Sequence, residues 1–203
     1  MNLPHDSGSP GEVRGGPDCE LTVVVRVCDD EERVGHVLRR IAAHLRSLGL
    51  TSEILVVDEG SGDNTLAVAA LLRQPLQLEL MHAEPGHGFY RGCERARGRL
   101  VMLYDARAEA PLSALGYGLA RLRAGLDVVA VGGRFLVFRR TRVWRAFEAL
   151  IQRRNPLLVE RRFLRRVKAL GLNFTVTHPR RTTPWARLRD SLALPRLSLR
   201  AFG

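Results

Sequence analysis

The feature that most constrains the fold is a short apolar run that ends abruptly in acids. Ile54–Val57 is apolar and rich in β-branched residues, which is typical of a short buried strand. Asp58 and Glu59 follow directly, and after a Gly-Ser-Gly turn Asp63–Thr65 supplies side chains that suit a helix start. The apolar residues 66–72 then continue as that helix. A strand, an acidic turn and a helix in this order are typical of open α/β sheets, which bind ligands at the carboxyl edge of their strands.

The same alternation of strands and helices continues along the chain. Leu21–Val27 is nearly continuous in β-branched residues, as in a central parallel strand that is buried on both faces. The alternation predicts an α/β fold, a Rossmann-like sandwich with a mostly parallel central sheet flanked by helices. Strands are predicted at residues 21–27, 53–57, 76–81, 99–104, 127–131, 135–138 and 173–177. The first helix is predicted to start within residues 29–32, to place its apolar face over residues 34–45 and to end at Gly49. Further helices are predicted at residues 65–72, 89–97, 111–125, 141–152 and 156–170.

The length and the ends of the chain predict one domain with two flanking segments. The sequence has 203 residues, enough for one sizeable core. Residues 1–19 are polar and rich in Gly and Pro and contain no apolar stretch, so we expect a disordered leader and not a signal peptide. The domain is predicted over residues 20–178, followed by a basic tail over residues 179–203.

Cysteine usage and hydropathy predict a cytoplasmic protein. The three cysteines, Cys19, Cys28 and Cys93, lack zinc-site spacing and are odd in number, so a reducing compartment is expected. No apolar run approaches the roughly 20 residues of a membrane-spanning helix.

Positive charge is concentrated in the last third of the chain. The net charge is +11, and residues 134–203 hold 17 Arg, one Lys and only 3 acids. Such a segment suits an anionic membrane surface, the diphosphate of a substrate, or nucleic acid. Nucleic acid is disfavoured, because no aromatic platform or RNA-binding motif accompanies the charge. Arg interleaved with apolar residues over residues 184–203 favours the inner face of a membrane.

The acidic turn resembles a signature of glycosyltransferase family 2. The family pattern is V-V-D-D-G-S-x-D-x-T, and Glu59 stands in place of its second Asp. Leu21–Glu31 resembles the family's opening strand and places Asp30 on the first Glu of its motif. In the same segment Arg26 replaces a Pro and Cys28 replaces a Tyr.

Two later segments resemble the same family in the family's order. Gly86–Gly98 resembles G-K-G-x-A-x-x-x-G-x-x-x-A-x-G, with His87 in place of Lys. Leu100–Arg107 resembles the strand that carries the D-x-D motif, with Asp105 as its first acid. The resemblance implies a GT-A fold with a nucleotide-binding half over residues 20–133 and a shortened acceptor-side half over residues 134–178.

The resemblance also implies the roles of individual residues. Asp30, Asp58, Glu59 and His87 fall on positions that hold the base, ribose and diphosphate of a nucleotide sugar. Asp105, with Arg107 beside it, falls on the motif that holds Mg²⁺ or Mn²⁺ against the diphosphate. Family members carry an acid eleven residues before a helix-ending Gly, and counting back from Gly171 identifies Glu160 as the general base of an inverting transfer. Without the resemblance, Glu160 reads as a solvated helix residue.

Arg107 stands where the D-x-D motif has its second acid, and a guanidinium repels a metal ion. Three interpretations follow. Glu109 supplies a metal ligand from the loop, Arg107 pairs with the diphosphate itself, or the site is inactive.

The sequence therefore leaves three functions open. The first is a glycosyltransferase that moves a sugar from a nucleoside-diphosphate sugar to an acceptor hydroxyl or lipid phosphate. The second is a degenerate relative that binds a nucleotide or a partner without catalysis. The third is a basic adaptor or nucleic-acid-binding protein outside the family. The identities of the sugar, nucleotide and acceptor stay open.

Overall fold

The computed structural model describes residues 19–108, 111–131, 135–143 and 160–177, and these residues form an α/β sandwich around one sheet. The strands lie in the order β3-β2-β1-β4-β6-β5-β7. All neighbouring pairs are parallel except the two that involve β6. The predicted Rossmann-like, mostly parallel sheet is therefore confirmed. The strands are β1 (Leu21–Val27), β2 (Ser52–Asp58), β3 (Leu78–His82), β4 (Leu100–Asp105), β5 (Val128–Val131), β6 (Phe135–Arg139) and β7 (Phe174–Thr177).

Helices cover both faces of the sheet, so that the central strands are buried on each side. Val23 and Val25 of β1 lie in one core cluster with the first helix, and Val24 lies in the opposite cluster with Phe89. Both faces of the sheet therefore exclude water, which is why β1 reads as an unbroken apolar run. The helices are α1 (Glu31–Ser47), α2 (Thr65–Leu71), α3 (Arg73–Leu76), α4 (Gly88–Arg95), α5 (Ser113–Arg123) and α6 (Glu160–Ala169), with a 3-10 turn over Ala106–Ala108.

The predicted start of β3 is wrong. The strand was expected from Leu76, but residues 73–76 form the short helix α3, and Gln77 adopts a left-handed φ of 53° before the strand begins. The alternating apolar pattern starts at Leu76, which still belongs to α3, and the chain turns at Gln77 before it enters the strand. Residues 141–152 were predicted as a helix; residues 140–143 are helical, and the remainder lie outside the described ranges.

Helix α4 packs unusually close to β1, and glycines at two positions allow this. A Cβ atom on Gly92 would lie 2.2 Å from Val24 Cγ1. A Cβ atom on Gly98 would lie 2.4 Å from the backbone nitrogen of Thr22, and the Gly98 N–H donates to Thr22 Oγ1 at 2.8 Å. Gly92 and Gly98 are thus explained by the close approach of α4, and of the connection after it, to β1.

An ion pair between the half-exposed Arg97 and the mostly buried Glu53 side chain fixes the opposite, amino-terminal edge of the sheet. Glu53 Oε2 accepts from Arg97 Nε at 2.6 Å, and Glu53 Oε1 accepts from the Arg97 backbone N–H at 2.6 Å and from Thr22 Oγ1 at 2.5 Å. Burial raises the pKa of Glu53, but these hydrogen bonds outweigh it and leave the pKa below its ordinary value. This pair ties the chain after α4 to β1 and β2.

Several cations of the basic half serve the fold internally. Arg139 donates to the carbonyls of Leu122 and Leu126 at the end of α5, at 2.5 and 3.2 Å. Arg140 donates to the Ala96 carbonyl at the end of α4, at 2.8 Å. These bonds bring side-chain donors to carbonyls at the ends of the two helices and just beyond them. The positive charge of this half is therefore only partly available to an external anion.

Candidate functional site at the carboxyl edge of the sheet

Four buried carboxylates lie at the carboxyl ends of three neighbouring strands. Asp58 ends β2, Glu59 follows it, Asp105 ends β4, and Asp30 lies three residues after β1. The register of the sheet aligns Val27 with Asp58 and Arg26 with Asp105. The acids predicted from the sequence are therefore brought to one edge, where open α/β folds bind their ligands.

Asp58 organises the turn that leads from β2 to α2. Its carboxylate accepts from the backbone N–H groups of Gly60 and Ser61, each at 3.3 Å, and from the Ser61 hydroxyl. Gly60 has a left-handed φ of 85°. His82, at the end of β3, places Nδ1 3.5 Å from Asp58 Oδ2. Asp58 thus lies in a polar environment at the rim of the edge.

Asp30 is buried and fixes the loop between β1 and α1. Its Oδ2 accepts from the Cys28 N–H at 3.1 Å, and its own N–H donates to Thr65 Oγ1 at 2.6 Å. Asp29 has a left-handed φ of 50°, a strained value for a residue with a side chain. Burial and the charge of Asp29 raise the pKa of the neighbouring Cys28 thiol, so Cys28 is not a thiolate at neutral pH.

Glu59 is turned inward and joins α4 to the sheet. Its Oε1 accepts from the Gly88 N–H at 2.7 Å, and its Oε2 pairs with Arg26 Nη1 at 3.0 Å. A Cβ atom on Gly88 would lie 2.7 Å from Glu59 Oε1, so this contact requires a glycine there. Both oxygens of Glu59 have partners within the chain. We therefore expect Glu59 to shape the site and to contact a ligand less directly than Asp58.

Arg26 is a functional candidate for which the sequence predicts no role. Its guanidinium bridges Glu59 and Asp105, lies over the Phe89 ring at 5.8 Å from the centroid, and has a side chain only 16% exposed. Burial lowers the pKa of Arg26, but Asp105 and Glu59 outweigh it and raise the pKa above its ordinary value. The sequence feature that could have identified Arg26 is a single Arg inside an apolar strand whose neighbouring strands end in acids.

Arg107 crosses the edge from β4 to the end of β1. Its backbone N–H donates to Asp105 Oδ1 at 2.9 Å, its Nε donates to Asp30 Oδ1 at 3.3 Å, and its Nη2 donates to the Cys28 carbonyl. The Arg107 side chain is 49% exposed. It therefore presents a guanidinium to solvent beside the buried carboxylates.

The other predicted site residues are described only in part. His87 precedes α4, and its Nδ1 lies 3.9 Å from Glu84 Oε2, beyond hydrogen-bond distance. Glu109 lies outside the described residues, so its predicted metal-ligand role stays a prediction. Glu160 is the first residue of α6, but its side chain is not described.

The position of Glu160 along α6 follows from topology. Helix α6 packs against β7 and is joined to it by a short connection with Gly171 at a φ of 68°. The helix therefore runs back along β7, whose direction matches that of the other parallel strands. The first turn of α6 thus lies toward the carboxyl edge, the same edge that carries Asp58 and Asp105.

The described residues do not fit a divalent cation. They contain no cluster of three or more His, Cys, Asp or Glu side chains arranged to hold a metal ion. Asp105 directs Oδ2 at Arg26 and Oδ1 at the Arg107 N–H. A metal ion at Asp105 would have to displace a guanidinium partner and would lie next to a second cation.

An acidic groove of about 220 Å³ adjoins the strand ends. The acids of the groove suit hydroxyl and N–H donors, whereas the guanidinium of Arg107, which pairs with Asp30, suits an anion. The groove is lined by Asp29, Asp30, Glu31, Glu32, Arg33 and Asp63.

Two curated proteins of similar sequence act on polyprenyl phosphates according to their names. The chain is 33% identical over 131 residues to undecaprenyl-phosphate 4-deoxy-4-formamido-L-arabinose transferase of Pseudomonas paraeruginosa. The matched region covers 62% of this chain and 38% of that protein. The chain is also 34% identical over 92 residues to dodecaprenyl-phosphate galacturonate synthase of Rhizobium johnstonii. That matched region covers 42% of this chain and 27% of that protein. The chain thus spans well under half the length of these relatives.

Solved structures and a family model identify the fold and the family. A mannosyltransferase from Pyrobaculum calidifontis in complex with GDP-Man and Mn²⁺ has a TM-score of 0.59 at 17% identity, over 83% of this chain and 58% of that chain. A glucosyl-3-phosphoglycerate synthase from Mycobacterium tuberculosis, in complex with Mn²⁺, UDP and phosphoglyceric acid, has a TM-score of 0.58 at 16% identity, over 84% of this chain and 74% of that chain. The fold is GT-A. The model of glycosyl transferase family 2 matches residues 22–188, and the chain belongs to that family.

Proposed function

We propose that this chain transfers a sugar from a nucleoside-diphosphate sugar and that it binds this donor at the carboxyl edge of β1, β2 and β4. The observation that carries the proposal is the convergence of Asp30, Asp58 and Asp105 with the exposed Arg107 at that edge of a family 2 fold. Family membership also removes the alternative of a basic adaptor or nucleic-acid-binding protein outside this family.

The residues at this edge suit the parts of such a donor. Asp30 and Asp58 accept hydrogen bonds, which a base and a ribose can donate, and Asp30 lines the acidic groove. Arg107 offers a planar fork of N–H donors that matches the oxygens of a diphosphate. Glu160, at the start of α6, removes the proton from an acceptor that carries one, a hydroxyl or a singly ionised lipid phosphate, as that oxygen attacks the anomeric carbon and the nucleoside diphosphate leaves. Glu59 supports the donor by holding the start of α4 through the Gly88 N–H. His87, directly before α4, contacts the nucleotide sugar.

The donor proposal is tested by melting curves with a panel of UDP, GDP, CDP and dTDP sugars. A ligand that binds only the folded state raises the melting temperature. We expect one nucleotide class to do so, and Asp58→Ala to weaken its affinity by about 1–3 kcal/mol, the usual range for a lost charge-assisted hydrogen bond. Glu79→Ala is the matched control. Glu79 lies on β3 and pairs with Arg95 of α4, away from the carboxylates of the site. No shift with any nucleotide at millimolar concentration would contradict the proposal.

The acceptor that we propose is a polyprenyl phosphate at an anionic membrane surface. Support comes from the names of the two curated relatives and from the charge of residues 134–203. Within the described ranges, no helix has the length and apolar character to cross a membrane. The basic tail, residues 179–203, lies outside those ranges and is proposed as the docking segment.

Liposome co-sedimentation tests the docking proposal. Binding is expected to need anionic lipid and to weaken with salt, because it rests on Arg side chains near the surface. Removal of residues 184–203 should abolish it, while leaving the melting temperature of the domain unchanged. Equal binding to neutral vesicles, or none to anionic vesicles at low salt, would exclude the tail as the docking segment.

A non-catalytic relative is the second candidate, and one observation favours it. Each of the four buried carboxylates already has a hydrogen-bond or ion-pair partner within the chain. Such a site can hold its shape without substrate. Nucleotide binding without sugar transfer is the result that distinguishes this candidate from the active enzyme.

A further inference from the structure

Arg26 occupies the position at which two carboxylates of the site come together. Asp105 approaches from β4 and Glu59 from the end of β2, and the guanidinium of Arg26 lies between them on β1. Two acids meeting in a mostly buried place need a counter-charge, because buried like charges strongly disfavour one another. Here that counter-charge belongs to the chain itself.

The surroundings of Arg26 hold the guanidinium in place. Phe89 of α4 covers one side of it at 5.8 Å, and the Gly88 N–H at the start of the same helix holds the far oxygen of Glu59. The Arg26 Nε is buried without a hydrogen-bond partner, so its side chain is anchored by its Nη groups alone. Removing Arg26 would leave two carboxylates facing each other with no cation between them.

We infer, on the basis of the proposed function, that Arg26 is the built-in counter-ion of this site and takes the charge-balancing place of a divalent cation. The chain then binds the diphosphate of its donor without metal. Arg26 is a positioning residue, since it acts through Asp105 and Glu59, and Arg107 is the cation that faces the ligand. This departs from the metal that the family resemblance implies.

Mn²⁺ binding in the absence of nucleotide tests Arg26 directly. Free Mn²⁺ is measured by electron paramagnetic resonance during titration of purified wild type and of Arg26→Gln. Wild type is expected to bind Mn²⁺ only weakly, and Arg26→Gln to bind it at least about tenfold more tightly, because Asp105 and Glu59 then lack a cation. Arg26→Lys keeps the charge and should exclude Mn²⁺ as wild type does. Arg91→Gln, which removes a cation paired with Glu94 on the surface of α4, should change nothing.

Each outcome decides the inference. Mn²⁺ binding by wild type as tight as by Arg26→Gln overturns it, and so does a folded Arg26→Gln that gains no affinity. Should Arg26→Gln fail to fold, Arg26→Lys and wild type remain decisive, since tight Mn²⁺ binding by both overturns the inference.

Nucleotide titration with and without EDTA gives a separate measurement. Wild type is expected to bind its nucleotide equally in EDTA and in Mn²⁺, and loss of binding in EDTA would overturn the inference while leaving the proposed function intact. If wild type binds no nucleotide in either condition, the proposed function fails, and the Mn²⁺ titrations still decide the role of Arg26.

Discussion

Gly98→Ala is expected to destabilise the domain by about 3 kcal/mol or more, at the upper end of the range for overpacked sites. The added Cβ would lie 2.4 Å from the Thr22 nitrogen and 2.8 Å from both the Leu100 oxygen and the Leu21 carbonyl carbon. All three are backbone atoms of β1 and β4, so no side chain can rotate away. The strands would have to separate, and the hydrogen bond from the Gly98 N–H to Thr22 would be lost. Urea unfolding followed by circular dichroism measures the difference.

Gly116→Ala is the matched control for this prediction. Gly116 lies inside α5, and the single neighbour of an added Cβ is Leu48 Cδ2 at 4.0 Å. Alanine is favoured over glycine in a helix interior by roughly 0.5–1 kcal/mol, so this variant should be neutral or slightly more stable. Equal stability of the two variants would contradict the close packing of the α4–β4 connection against β1.

Glu160→Gln is expected to lower turnover about 10²-fold or more while leaving nucleotide affinity and the melting temperature unchanged. The reason is that an amide cannot take up the proton of a hydroxyl or of a singly ionised lipid phosphate, although it has almost the same size as the carboxylate. The first turn of α6 lies toward the carboxyl edge, as a general base for this transfer requires. Turnover is measured as glycosylated lipid formed per enzyme at saturating donor.

A second Glu→Gln substitution, on the surface of another helix, separates the loss of the general base from the loss of one negative charge. Glu94→Gln changes α4 at a residue paired only with Arg91 on the surface, and it should keep wild-type turnover. If Glu160→Gln is as active as Glu94→Gln, then Glu160 is a solvated helix residue.

The order of the elements and the edge that carries the acids could be predicted because both follow from local regularities. An apolar run such as Leu21–Val27 and a capped acidic turn such as Asp58–Thr65 are complete within a dozen residues. Once parallel strands are inferred, their carboxyl ends must meet at one edge. Asp30, Asp58 and Asp105 could therefore be assigned to one site before any coordinates were known.

The role of Arg26 could not be predicted, because its partners are distant in sequence. Glu59 and Asp105 lie 33 and 79 residues away, and only the register of β1 with β4 brings Asp105 beside it. The internal partners of two cations in the basic half could not be predicted for a similar reason. Arg139 and Arg140 bind helix-end carbonyls that the sequence does not show to be near.

The central claim, that this chain is an active nucleotide-sugar glycosyltransferase, is tested most directly by a transfer assay. Wild-type protein is incubated with undecaprenyl phosphate in detergent and with the nucleotide sugar that raises its melting temperature, and the lipid is examined by mass spectrometry. We expect a new lipid whose mass is increased by one sugar residue, together with release of the nucleoside diphosphate. Binding of the nucleotide sugar with no sugar transferred to the lipid and no nucleoside diphosphate released would contradict it and would identify the chain as a non-catalytic member of the family.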